Sequence, residues 1–206
     1  VCLDHSPHQG LIRFIDELQD ERQKAFKELK KWLKTDNYEQ QCTLIQGLLA
    51  EMESTQTEKG HINSREFGHL VIWRHFQGTL SLCNQLDSNS TDNAIHRLRI
   101  RCKKLRYLLE YFSPILPPKA RKKQIKCLKQ LQDELGDFND SSVQIQFFEH
   151  YLLGKKTSTH RYKAVTQLKE ITQRHHIESK QQVITKIALF TQPDNVESYN
   201  IYSPKK

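Results

Sequence analysis

HRLRIRCKKLRYLLEYF, residues 96–112, places apolar side chains every three or four positions, which predicts an amphipathic α-helix. The polar loop 87–92 precedes this stretch and ends in a capping residue, so we expect the helix to begin near residue 92 and to end near residue 113. At about 100° per residue the apolar positions form one stripe that would pack against the core. That stripe comprises Ile95, Leu98, Cys102, Leu105, Leu109 and Phe112.

A cationic stripe lies immediately beside the apolar one and comprises His96, Arg99, Lys103 and Arg106. Apolar residues, among them Tyr107, flank its other side as well, whereas a solvated helix face would not be bounded in that way. We therefore expect the cationic side chains to face a groove between helices. Because burying unpaired charge is costly, an anionic ligand is the favoured explanation, and salt bridges to acids of a neighbouring helix are the alternative.

The next predicted helix supplies a matching cationic face. Pro117 and Pro118 open it, since proline is tolerated in a first helical turn. Because only a short loop separates it from the preceding helix, the two should pack as an antiparallel hairpin whose cationic faces line one shared groove. Arginine forks and lysine point charges both suit phosphate oxygens. The candidate phosphate-binding residues on this helix are Lys122, Lys126 and Lys129.

Positive charge is concentrated in residues 96–129, which carry twelve Lys and Arg side chains and a single carboxylate, Glu110. The formal net charge of the 206-residue chain is only +8 at pH 7, so the rest of the chain is slightly acidic. A block of like charge repels itself, and its usual explanation is a polyanionic partner. The other three cations of the first helix, Arg97, Arg101 and Lys104, fall on a face that we predict to be solvated.

The whole chain is predicted to be all-α, because glycine and proline are few and alternating strand patterns are missing. Long amphipathic helices joined by short loops are typical of antiparallel helical bundles. We expect Gly136 to end the fifth helix, Asn139 or Asp140 to cap a sixth, and the tail 191–206 to be poorly ordered. The eight predicted helices span about residues 9–34, 38–52, 63–86, 92–113, 117–136, 139–153, 157–175 and 177–190.

The two cationic helices together resemble the signature of the CHAD family, the conserved histidine α-helical domain, mainly over residues 91–153. The resemblance rests on HRLRIRCKKLRYLLEYF, then a short proline-containing break, then LKQLQDELGDFND, in that order and at compatible spacing. The matching positions are His96, Arg99, Lys103, Arg106, Tyr107, Glu110, Lys129, Gln132, Asp133, Gly136, Asn139 and Asp140.

This resemblance implies an all-helical domain over residues 1–190, with two related bundles around a basic central cleft. Residues 1–90 would be the remainder of the first half and 91–190 the second half, followed by the tail 191–206. Family members carry the histidine helix once in each half, whereas residues 1–90 show no copy of HxxRxxxKxxR. We therefore expect the first helices of the N-terminal half to be missing.

The resemblance also implies binding of inorganic polyphosphate, in association with polyphosphate granules or polyphosphate-metabolising proteins. The residues to which this role is assigned are His96, Arg99, Lys103, Arg106, Tyr107, Lys122, Lys126 and Lys129.

Catalysis is not expected, because the sequence has no Gly-rich phosphate loop, no GxSxG motif and no paired carboxylates opposite His96. The ten histidines lack ligand spacing, so neither a metal nor another cofactor is expected. No apolar run is long enough to span a membrane, and five scattered cysteines are typical of free thiols in a cytoplasmic protein.

The predicted function is therefore non-catalytic binding of polyphosphate, and two alternatives remain open. One is an RNA-binding helical module, which is less favoured because Tyr107 and Tyr111 are the only candidate stacking residues on the cationic helix. The other is a helical scaffold whose cationic face docks an acidic partner protein.

Overall fold

The computed structural model describes residues 6–55 and 60–204, and within those ranges the chain is all-α without a strand. Two short 3₁₀ turns, Ser113–Ile115 and Asn200–Tyr202, accompany the α-helices. The α-helices are α1 Ser6–Trp32, α2 Asp36–Ser54, α3 Ser64–Cys83, α4 Asp92–Tyr111, α5 Pro118–Leu152, α6 His160–Phe190 and α7 Pro193–Glu197.

Two predicted helix breaks do not occur. Gly136 lies inside α5, and the predicted boundary at residues 175–177 lies inside α6. A glycine in a helix costs only about 1 kcal/mol. Burial of Leu135 and Phe138 on either side of Gly136 outweighs that cost. At Gly136, packing therefore overrides the local sequence signal.

Side-chain caps fix the starts of α3 and α4. The Asn63 side chain accepts a hydrogen bond from the backbone N–H of Arg65 at 2.9 Å, which confirms the predicted start of α3. The Thr91 hydroxyl accepts from the backbone N–H of Ala94 at 3.3 Å, so Thr91 is the cap of α4.

The chain divides into two compact units, and the first comprises Val1–His61 and Leu152–Gln167. Within it, Gly10 of α1 lies against the backbone carbonyl of His160, where any side chain would clash. Glu17 of α1 forms ion pairs with Lys155 at 3.4 Å and Arg161 at 2.8 Å. A close backbone contact and a small charge cluster therefore attach α1 to the start of α6.

The second unit comprises Ile62–Tyr151 and Leu168–Lys206 and holds the larger apolar core. The apolar stripe predicted for α4 lies in this core, with Phe112 only partly buried at its end. Leu128, Leu131 and Leu135 of α5 pack in the same cluster. The fully buried residues of the α4 stripe are Ile95, Leu98, Cys102, Leu105 and Leu109.

The C-terminal segment packs into this core, so the prediction of a poorly ordered tail is wrong for residues 191–204. Tyr199 is fully buried and its ring stacks on Phe76 with centroids 3.8 Å apart. The Tyr202 hydroxyl donates to Gln124 Oε1 at 2.9 Å, and the Gln124 amide donates to the backbone carbonyl of Ser198 at 2.7 Å. Two aromatic anchors thus order a segment that is otherwise polar in sequence.

The cysteines within the described residues are free thiols, as predicted, and Cys2 lies outside those residues. Burial raises the pKa of the Cys83 thiol to about 12 and that of Cys102 well above its ordinary value. Both thiols therefore stay protonated in the core. No helix among the described residues has the length and apolarity that crossing a membrane would require.

Candidate functional site

Helices α4 and α5 lie side by side and run in opposite directions, as predicted. Ser142 of α5 donates to Asp92 at the start of α4 at 3.5 Å, and the His96 ring nitrogen Nδ1 lies 2.8 Å from Asn139 Oδ1. Residue numbers thus fall along α5 as they rise along α4. Continuing this order places Arg106 opposite Lys129.

A groove of about 440 Å³ opens between the two helices. Its walls bring together three cations of α4 and one of α5, with one amide and one carboxylate. We call this surface the α4–α5 groove, and its lining residues are Arg99, Lys103, Arg106, Lys129, Gln132 and Asp133.

The burial of the α4 cations differs between the two faces of the helix. Arg99, Lys103 and Arg106 are half-buried in the wall of the groove. Arg97 and Lys104, on the face that we predicted to be solvated, are exposed. The low polarity of a partly buried site leaves the groove cations less screened than exposed ones.

Positive charge in the α4–α5 groove is poorly compensated. Among the residues that the structure describes, Arg106 alone of the four groove cations forms an ion pair, 3.4 Å from Glu110 on its own helix. No ion pair joins a groove cation to the facing helix in that part of the chain, which leaves the alternative of interhelical salt bridges without support. The groove is therefore able to accept negative charge from a ligand.

Two buried N–H donors of the groove residues have no acceptor. They are Arg106 Nε and Gln132 Nε2, one from each helix. A buried donor without a partner costs about 1–3 kcal/mol, so proteins rarely retain such a group without a reason. Oxygen atoms of an anion in the groove would satisfy both donors once the two side chains turn their N–H groups toward it.

Tyr107 lies beside the groove, and the residue is 49% exposed. The Lys103 ammonium lies 6.0 Å and the Arg106 guanidinium 5.0 Å from the centre of this ring. These cation–π contacts hold the two cationic side chains in place. Tyr107 therefore acts on the groove through its neighbours and does not line it.

Three other residues assigned to the site by sequence lie outside the groove lining: His96, Lys122 and Lys126. Lys122 and Lys126 are exposed on α5, and His96 is exposed near the start of α4. Gln132 lines the groove but is absent from the residues assigned to the site by sequence, because counting charges does not detect a neutral amide. Its spacing of three residues from Lys129 was the signal that could have found it.

The hydrogen bond of His96 determines how this residue could meet an anion. The Asn139 amide nitrogen donates to Asp140 at 3.4 Å, so its oxygen accepts from His96 Nδ1–H. The outward nitrogen Nε2 is then an acceptor in neutral imidazole and a donor only in imidazolium. A phosphate oxygen can bond to His96 only when the ring is protonated.

A separate side-chain array ties α4, α5 and α6 together. The two ring nitrogens of His176 lie 2.8 Å from the Ser141 hydroxyl and 3.0 Å from Asp92. Ser141 is only 2% exposed, and its hydroxyl also donates to the backbone carbonyl of Phe138 at 2.8 Å. The array therefore resembles a hydrolytic triad in composition only, since its serine is not accessible to a substrate.

The family model described as CHAD domain matches residues 2–149, more than half of the chain and all six residues of the α4–α5 groove. No curated protein matches the chain.

Proposed function

The chain belongs to the CHAD domain family, which is associated with polyphosphate binding, and from this premise we propose that it binds inorganic polyphosphate in the α4–α5 groove without hydrolysing it. The residues that would contact phosphate are Arg99, Lys103, Arg106, Lys129 and Gln132. Tyr107 would hold two of these cations, and His96, Lys122 and Lys126 would extend the contact along the rim.

One observation carries this proposal: the α4–α5 groove presents four cations and two unsatisfied N–H donors against a single lining carboxylate, Asp133. A chain of phosphates offers closely spaced anionic oxygens to match such a surface. Arginine can hold two of these oxygens at once, and lysine adds point charges beside them. Asp133 would repel phosphate, so we expect the bound chain to lie against the four cations and away from this carboxylate.

The side chains that line the groove lack the groups that catalysis would need, which is why we propose binding alone. None of the residues that line the groove is a serine, cysteine or histidine that could serve as a nucleophile. The lone carboxylate of Asp133 has no second acid beside it in the lining. Cations and amides hold a phosphate chain in place without activating water to attack it.

The same reasoning extends to partners and location. A carrier of this kind would associate with polyphosphate granules or with proteins that metabolise polyphosphate. We place it in the cytoplasm, where the thiols of Cys42 and Cys127 would remain reduced.

The first test separates polyphosphate from other polyanions. Long-chain polyphosphate, single-stranded RNA and an acidic polypeptide are titrated at matched charge against the protein. We expect polyphosphate to bind tightest and to displace the other two. Because four groove cations replace condensed counterions, the logarithm of affinity should fall with the logarithm of salt with a slope of about −3.

A second assay on the same samples measures orthophosphate release over hours, and we expect none above the protein-free control. Tighter binding of RNA would instead favour Tyr107 as a base-stacking platform, and tighter binding of the polypeptide would favour a protein-docking scaffold. Steady orthophosphate release would contradict the non-catalytic assignment.

A further inference from the structure

A second group of cations lies where α4 packs against α3, away from the α4–α5 groove. Arg101 of α4 lies against Gly78 of α3, and Lys104 lies close enough to His75 to influence its charge. These pairings show that α3 and α4 are antiparallel neighbours. We call the cluster formed by Arg74, His75, Arg101 and Lys104 the outer patch.

Gly78 gives Arg101 a defined position in the outer patch. The Arg101 guanidinium occupies the space that a side chain at residue 78 would need. Glycine inside a helix costs about 1 kcal/mol relative to alanine, so this position carries a cost to α3. The absence of a side chain at residue 78 leaves room for the exposed Arg101 guanidinium to lie across the surface of α3.

The outer patch also lacks a counter-charge. Within residues 6–55 and 60–204, no ion pair involves Arg74, Arg101 or Lys104. His75 is half-buried among them, and its pKa is lowered from 6.5 by burial and then by Lys104, Arg101 and Arg74. Three cations thus surround an imidazole that stays neutral at physiological pH.

We propose that the outer patch is a second anion-binding surface, which takes a short segment of inorganic oligophosphate with Arg101 lying over Gly78. It shares its ligand class with the α4–α5 groove, and in that respect it rests on the proposed function. Its residues are distinct from those of the groove. Arg101 and Lys104 are exposed, so binding here is more strongly screened and weaker than in the groove.

Binding at the outer patch takes up a proton. A phosphate beside His75 offsets the cations of α3 and α4 that oppose its protonation, so the pKa of His75 rises on binding. The affinity of the patch therefore rises as pH falls toward the free-state pKa of His75 and levels off below it. In the groove, His75 plays no part.

The test uses inorganic tripolyphosphate, a short probe, in calorimetric titrations at low salt. Wild type should show a tight and a weak site. Arg101→Gln should weaken the weak site about fivefold, as expected for loss of one exposed ionic contact worth about 1 kcal/mol. Gly78→Ala should act in the same direction, because its methyl group displaces the guanidinium.

Two variants serve as controls, one for loss of folding and one for the change of net charge. Gly78→Ala has to move only the flexible end of Arg101, so its melting temperature should equal or exceed that of wild type. Arg13→Gln makes the same charge change at an exposed position of α1, in the other unit, and should leave the weak site unchanged.

Proton uptake is measured at pH 7 by titrating in two buffers of different ionisation enthalpy. The weak site of wild type should take up a larger fraction of a proton than that of His75→Gln, and the difference reports on His75 because the terminal phosphates of the probe titrate in both proteins. Equal proton exchange by the two proteins would overturn the role of this histidine.

The experiment distinguishes failure of the outer-patch proposal from failure of the groove proposal. If Arg106→Ala removes the tight site and Arg101→Gln weakens the other, both surfaces bind phosphate. If Arg101→Gln and Gly78→Ala change nothing, or if Arg13→Gln weakens binding as much, the outer patch is a solvated face. If Arg106→Ala changes nothing while Arg101→Gln weakens binding, the patch stands and the groove does not.

Discussion

Replacing Arg106 by alanine should weaken polyphosphate binding by about 10- to 100-fold, the largest loss expected for any single groove residue. Arg106 contributes a half-buried charge and the Nε–H donor that has no acceptor in the protein. A charge-assisted hydrogen bond of this kind is worth about 1.5–3 kcal/mol, and about 1.4 kcal/mol corresponds to a factor of ten. Titration calorimetry with long-chain polyphosphate measures the change.

Two matched variants show whether charge or geometry is responsible. Arg106→Lys keeps the charge but loses the Nε–H donor, so we expect an intermediate affinity. Arg97→Ala removes an exposed cation of the same helix and should cost about fivefold or less. If Arg97→Ala weakens binding as much as Arg106→Ala, the bound surface is the exposed face of α4 and the groove is not the site.

The second large effect concerns stability. Tyr199→Ala should lower the free energy of unfolding of the second unit by about 3–5 kcal/mol, because it removes a fully buried ring that stacks on Phe76 at 3.8 Å. Urea denaturation followed by circular dichroism provides the measurement. A loss of this size is a large share of the stability of an ordinary domain.

Tyr199→Phe is the matched control, because the Tyr199 hydroxyl is buried without a hydrogen-bond partner. Removing that hydroxyl keeps the stacked ring and relieves an unsatisfied polar group, so the variant should be as stable as wild type or slightly more stable. Equal stability of Tyr199→Ala and wild type would show that the C-terminal segment does not contribute to the core.

The part of the fold that the sequence predicts best is α4, because apolar residues lie on both sides of its cationic stripe. An apolar stripe fixes which face is buried, and flanking apolar residues indicate that Arg99, Lys103 and Arg106 are not fully solvated. The structure buries that stripe and places these three side chains in a groove wall. The antiparallel hairpin follows from the short loop after α4.

Tertiary packing determines the parts of the fold that the local sequence pattern does not predict. Gly136 is a helix-ending signal by itself, but Leu135 and Phe138 remain buried on either side of it and α5 continues. The segment after residue 190 is polar except for a few aromatic residues. Tyr199 orders it through a contact with Phe76, a residue more than one hundred positions away. Contacts between residues so far apart in the sequence produce no periodic pattern around either residue.

In the binding surfaces too, the sequence predicts what depends on spacing within one helix. It does not predict what depends on the register of two helices against each other. Charge counting finds the groove cations but not Gln132, since a neutral amide becomes significant only when its N–H is seen buried without a partner. The position of Arg101 over Gly78 depends on the register of α3 against α4, which spacing within either helix does not specify.

The central claim is that phosphate oxygens enter the α4–α5 groove and satisfy its two unpaired donors, and nuclear magnetic resonance tests it most directly. Side-chain ¹H–¹⁵N spectra are recorded with and without polyphosphate, and the Arg106 Nε–H and Gln132 Nε2–H₂ signals are assigned from Arg106→Lys and Gln132→Leu. The account predicts that both signals move downfield on binding, as new hydrogen bonds form, while the Arg13 signal stays in place. Unchanged Arg106 and Gln132 signals in a protein saturated with polyphosphate would contradict it.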